Sequence, residues 1–169
     1  VNFSIGIRQG HFAGRIGSLA RLLDWWSERH GILFMVAAGN VSDDLTVAGT
    51  TYTAFEDAEQ AEQRSMVDAA QKASRQFRTL LAPADAMNVL TVGGASQDLS
   101  PPMVPPQPGT IILNGADDPY PALSSAVGLG AFRSIKPDFI ATAGEHELRA
   151  SSSGDGSIRL RVVDRTQRS

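Results

Sequence analysis

The segment that most restricts the fold is "SLARLLDWWSERHGILFMVAAGN", Ser18 to Asn40. Leu19, Leu22, Leu23 and Trp26 fall at the i, i+3, i+4, i+7 spacing of one buried helical face. Ser18 is a candidate N-cap. Arg29 and His30 suit a last turn, and Gly31 suits the left-handed residue that ends a helix. An apolar strand, 32 to 38, follows at once. Before the helix, Val1 to Ile5 reads as another strand, ended by Gly6, with a loop over 7 to 15. Strand, helix, strand is a βαβ unit, which implies parallel pairing and a right-handed crossover. The second strand is apolar nearly throughout, the pattern of a strand covered on both faces by helices. The expected fold class is therefore α/β, with a mainly parallel sheet flanked by helices.

The 169 residues suit one domain. Residues 41 to 54 read as a polar loop. The stretch 55 to 81 is rich in Ala, Glu, Gln, Arg and Lys, good helix formers. Its first half is expected to face solvent and its second half to dock through Met66, Val67, Ala70, Phe77 and Leu80, with Pro83 as the stop. "MNVLTVGG", 87 to 94, reads as a third apolar strand. "SPPMVPPQPG", 100 to 109, holds five prolines and reads as an extended loop or spacer. Short strands are expected over 110 to 115 and 135 to 144. A C-terminal β-hairpin is expected around Gly154-Asp155-Gly156. Because the first residues already look like a core strand, the sequence is read as a piece of a longer protein, and missing targeting signals carry no weight.

Charge and composition narrow the partners. A formal net charge of −3 gives no electrostatic footprint for nucleic acid or an anionic membrane. No apolar run approaches the ~20 residues of a membrane span. The absence of cysteine excludes disulfides and thiolate metal sites. Asp43-Asp44, Asp117-Asp118 and Asp155 lack calcium-loop spacing and read as exposed acidic turns, so no metal site is identified. The loop 6 to 17 lies where a nucleotide-binding domain would cradle phosphate. It offers Gly6, Gly10, Gly14 and Gly17 but no Lys-Ser/Thr ending, and "GLG" at 128 to 130 lacks a G-x-x-G helix start.

Four segments, in this order, resemble the subtilisin-like serine peptidases, the subtilase or peptidase S8 family. "VNFSIG" is similar to the family's substrate-groove strand. "VAAGN" matches its oxyanion motif. "LAPADAMNVLTVGG" resembles its proline, helix-like step and V-x-x-V-G-A. "LSSAVG" followed by "IKPDFIATAG" resembles its F-S-S-x-G and K-P-D-V-x-A-P-G pair, with Thr142 where the family usually has proline. The whole of 1–169 is then expected to be a partial subtilisin-like peptidase domain, with a helical insertion at about 55–81 and a Pro-rich loop at about 100–109.

The resemblance implies a role for each motif. From its surroundings alone Asn40 reads as a turn or capping residue. The resemblance makes it a donor to the oxyanion that forms on the attacked carbonyl. In subtilisin itself, loss of one such donor is known to cost on the order of 10²–10³ in turnover. Ala37, Ala38 and Gly39 would be small because substrate passes close by. Ser4, Ile5 and Gly6 would line the substrate cleft, where a peptide adds as an extra strand. The family hydrolyses peptide bonds with an Asp-His-Ser triad. No D-[ST]-G, H-G-T-x-V-A-G or G-T-S-x-A motif occurs here, and His11, His30 and His146 lack the context of a catalytic base. The triad is thus expected outside this chain, which alone is expected to be inactive. Family habit allows Ca²⁺ although no site is identifiable. It favours secretion although intracellular members exist. The expected partner is a peptide or protein substrate, with a protein contact through 55–81 as a second role. The alternative is a catalytically inactive subtilase-like binding domain.

Overall fold

A computed structural model of the chain describes residues 1–8, 10–97, 110–112, 120–144 and 147–163. The expected proline-rich loop over 100–109, Asp117-Asp118 and His146 lie outside the described residues. The elements, in chain order, are β1 (Asn2–Phe3), α1 (Ser18–His30), β2 (Met35–Ala37), β3 (Leu45–Val47), α2 (Tyr52–Asp57), α3 (Gln60–Ser74), β4 (Leu90–Ser96), β5 (Thr110–Ile111), β6 (Tyr120–Pro121), β7 (Gly128–Leu129), β8 (Ile135–Lys136), β9 (Phe139–Thr142), β10 (Glu147–Ser152) and β11 (Ile158–Val163). The chain forms two compact units, Val1–Val41 with Arg75–Gly94 and Ser124–Ala141, and Ser42–Ser74 with Ala95–Leu123 and Thr142–Ser169.

The first unit holds the βαβ unit. β1 pairs parallel with β2, Phe3 opposite Val36, and β2 pairs parallel with β4, Val36 opposite Thr91. Gly31 ends α1 at φ 62°, the left-handed conformation that only glycine adopts without cost. The expected cap is not used. Gly17 holds the N-cap position, Ser18 makes no cap bond, and the Gly17 N–H donates instead to Asp85 Oδ2 at 2.6 Å. A carboxylate 68 positions away in sequence caps the helix.

The buried stripe of α1 is Ala20 and Leu23, which pack with Phe34, Val36, Ala38, Leu80, Ala84 and Val89. Leu22 is 41% and Trp26 39% exposed, so the expected face is rotated. Polar bonds on the inward flank set that rotation: Ser27 Oγ donates to the Ile32 and Asn88 carbonyls, and Asp24 accepts from the Asn88 N–H. Trp26 lies stacked over Phe34, ring centroids 6.4 Å apart.

β2 also departs from expectation. Phe34, Val36 and Ala38 are buried, but Leu33 is 55% and Met35 46% exposed. Side chains alternate along a strand, and the α1 core covers one face. Full burial of one such side chain is worth roughly 1.5–3 kcal/mol, so the buried face anchors the unit. The "KPD" segment is a staple on β4. Lys136 Nζ, nearly fully buried, donates to the Val89 carbonyl at 3.0 Å and to Asp138 Oδ2 at 2.6 Å. The same carboxylate oxygen accepts the Thr91 N–H at 2.7 Å, and the Asp138 N–H returns a bond to the Thr91 carbonyl.

The second unit is built on an antiparallel sheet, β3-β11-β10-β5. The C-terminal hairpin is present, with β10 and β11 in register from Glu147 opposite Val163 to Ser152 opposite Ile158. Along β11, Ile158 and Leu160 are buried while Arg159 and Arg161 are exposed, a clean two-residue alternation. Arg161 forks onto both oxygens of Asp44, at 2.8 and 3.0 Å. The helical stretch expected over 55–81 is broken into α2, α3 and a single 3₁₀ turn at Arg75–Phe77. Its first half does not simply face solvent: Phe55 is fully buried with Leu45, Val67, Leu148 and Ile158. Phe77, expected to dock, is 67% exposed. The break at Ala58 has a polar lock across it, where Gln63 Nε2 donates to the Phe55 carbonyl at 2.8 Å.

Candidate active site

The site begins where β2 ends. The Ala38 N–H donates to the Val92 carbonyl at 2.8 Å, and the Ala38 carbonyl accepts the Leu81 N–H at 3.0 Å. Gly39 turns at φ 113°, a backbone region closed to side-chain-bearing residues at low cost. A Cβ there would also stand 2.6 Å from Leu81 Cβ and Cγ. Glycine is required twice over, once for conformation and once for space.

Residues 39 to 41 are then gripped by the segment 124 to 126. The Ala126 N–H donates to the Gly39 carbonyl at 2.9 Å, and the Val41 N–H to the Ser124 carbonyl at 2.7 Å. Asn40 sits between them in a bridge to Ser125, its side chain exposed. Ser125 Oγ accepts the Gly94 N–H at 3.0 Å, so the gripping segment is tied to β4. Asn40 therefore has its backbone fixed on both sides while its side chain is exposed.

Ser4, Ile5 and Gly6 follow β1 and are all exposed, with Ser4 Oγ donating to Asn2 Oδ1 at 2.7 Å. β1 is an edge strand among the described residues. Gly6 lies close to the β2 turn: a Cβ on it would be 3.6 Å from Gly39 Cα and 3.5 Å from Leu81 Cδ1. The folding therefore brings Gly6, Gly39 and Asn40 to one place. Ala37 is half-buried, and Ala38 and Gly39 are buried behind Asn40.

His11 is exposed and pairs with Leu81 through a backbone bridge. His30 ends α1 with its ring edge-on to Trp25, 5.7 Å between centroids. Asp44 and Asp155 engage their carboxylates in hydrogen bonds within the protein. Asp44 pairs with Arg161, whose hydrogen bond holds its carboxyl below the usual range. Asp155 accepts from the Ser157 hydroxyl and N–H, which lower its pKa to about 2. Among the described residues no three His, Asp or Glu side chains group as a metal site. No helix among them is long and apolar enough to cross a membrane.

Two participants, Leu81 and Ser125, were not singled out by the sequence. Ser125 lies in "LSSAVG", so the motif pointed at its segment. Leu81 opens the segment "LAPADAMNVLTVGG", but its contact with two glycines about 40 and 75 positions away is set only by the fold.

The model of the subtilase family (peptidase S8) matches residues 1–168. No curated protein and no solved structure matches the chain.

Proposed function

Since the chain belongs to the subtilase family of serine peptidases, we propose that it is the central part of a serine endopeptidase domain that hydrolyses peptide bonds. In this reading Asn40 donates to the oxyanion, and Ser4 to Gly6 line the cleft together with Ala37, Ala38 and Gly39. The Asp, His and Ser of the triad come from outside these residues. The observation that carries the reading is the Asn40 side chain, exposed at the carboxyl end of a parallel strand and gripped by backbone bonds on both sides. Open α/β sheets place their ligands at that end of the strands. The exposed edge of β1 supports peptide addition as a further strand.

As serine attacks the scissile carbonyl, charge moves onto its oxygen. An amide already in position strengthens its hydrogen bond at that moment without reorganising, so it lowers kcat's barrier more than it tightens substrate binding. The test is Asn40→Ala in the full-length protein, assayed on a peptide amide. The expected outcome is a fall in kcat on the order of 10²–10³ with KM little changed. An unchanged kcat removes the oxyanion role. A full-length protein that binds peptide but never cleaves it favours the inactive binding domain instead. The 169 residues alone should remain unlabelled by a serine-reactive fluorophosphonate.

A further inference from the structure

We propose that the outward face of α1 pairs with the same face of a second copy of this chain, the two helices running antiparallel about a two-fold axis at Trp25. Both tryptophans of the sequence lie on the solvent side of this helix, Trp25 53% and Trp26 39% exposed, beside Leu22 at 41%. Single exposed apolar residues are ordinary, but three large ones on adjoining turns form a patch of the kind that marks an interaction surface. Tryptophan and arginine are also the side chains enriched where binding energy concentrates.

The occupant follows from the spacing around Trp25. At about 100° per residue, Trp25 projects opposite the buried pair Ala20 and Leu23. Arg21 and Glu28 lie to one side of it, and Leu22 and Arg29 to the other. A two-fold axis across the helix reverses chain direction and leaves each flank on its own side. Arg21 then meets Glu28 of the second copy, and Glu28 meets that copy's Arg21. Leu22 meets the aliphatic stem of the second copy's Arg29. Trp25 meets its own equivalent. Arg21 and Arg29 stay on opposite flanks, so no like charges are brought together.

The side chains are available for this pairing. Arg21, Glu28 and Arg29 are exposed, and none of them makes an ion pair among the described residues. Asp24, turned the other way, accepts the Asn88 N–H. The His30 ring stands edge-on to Trp25 at 5.7 Å, which orders the indole before any partner arrives. A shallow notch of about 350 Å³, lined by Trp25, Glu28 and Arg29, faces the side chains that the second copy's Arg21 and Leu22 bring. One 13-residue helix per copy is a small contact. Stable interfaces bury about 1,200–2,000 Å² in total, and a single helix pair covers less, so the dimer is weak, with micromolar affinity.

The test is sedimentation velocity on the full-length protein, from about 1 to about 300 µM. The wild type should pass from monomer to dimer across this range, and Trp25→Ala should stay monomeric. Arg21→Glu sets like charges against each other twice, once on each side of the axis, and should weaken the dimer by about tenfold or more; Glu28→Arg should do the same. An equimolar mixture of these two variants should associate again, because each copy then carries one sign at both positions. The double variant Arg21→Glu/Glu28→Arg should likewise recover the wild-type association. A change that merely disturbed the helix would restore neither. Circular dichroism checks that each variant folds, and if Trp25→Ala does not, the charge reversals decide. A wild type that is monomeric throughout overturns the inference. So does a dimer indifferent to the folded Trp25→Ala and Arg21→Glu variants, or a mixture that associates no better than its components.

Discussion

Replacing Gly39 by alanine should cost the protein much of its stability, and the structure says how the loss divides. At φ 113° an L-residue carries a backbone strain of about 1–3 kcal/mol. The added methyl would lie 2.6 Å from two carbons of Leu81, well inside contact distance. Overpacking of this kind adds about 1–3 kcal/mol. Together these make about 2–6 kcal/mol against a total stability of about 5–15 kcal/mol. In urea unfolding, with a slope of about 2 kcal/mol per molar, the midpoint should fall by roughly 1–3 M. The two components separate in a double-mutant cycle. Leu81→Ala alone should cost about 2–5 kcal/mol as a cavity. Combined with Gly39→Ala it should cost less than the sum by about 1–3 kcal/mol, because the new methyl enters the space the leucine left. The backbone part should remain. A Gly39→Ala midpoint equal to wild type, or strict additivity in the cycle, would refute the reasoning from contact and conformation.

Two further outcomes follow from the same structure. Lys136→Met should destabilise by about 3 kcal/mol, since it leaves the Asp138 carboxylate and the Val89 carbonyl without their shared cation; a thermal scan should show a drop of several degrees, and an unchanged midpoint would mean the pair is dispensable. Asp155, held down to about 2 by the Ser157 hydroxyl and N–H, contributes stability to the hairpin turn that is fully present above the ordinary carboxylate value of 3.8 and is lost as pH falls toward 2; an NMR titration should place its midpoint near 2, Ser157→Ala should raise it, and a wild-type midpoint near 4 would show that these bonds do not persist in solution.

Much of the first unit, and the C-terminal hairpin of the second, was legible in the chain, because short-range rules fixed them. The end of α1 needed only Gly31, whose missing Cβ permits the left-handed turn. The parallel order of β1 and β2 followed from a helix between two apolar runs, and the C-terminal hairpin from alternation around a glycine turn. The motif order pointed to the subtilase family, which the match over 1–168 bears out.

What sequence periodicity could not carry was direction. It described a helix with a leucine and tryptophan face, but distant polar partners at Asn88 rotated that face. It read β2 as buried throughout, though a strand has two faces and the α1 core covers one. It offered Ser18 as a cap where a carboxylate from residue 85 already satisfies the Gly17 N–H.

The sequence by itself determined the βαβ order, the C-terminal hairpin and the arrival of an asparagine after two small residues and a glycine. Tertiary structure decided what surrounds that asparagine: a grip from Ser124 to Ala126, a glycine from the end of β1, and a leucine filling the space between the glycines. The physical reason is range. Propensity and periodicity act over a few residues, whereas packing joins positions 6, 39, 81 and 125 only after the backbone has brought them together.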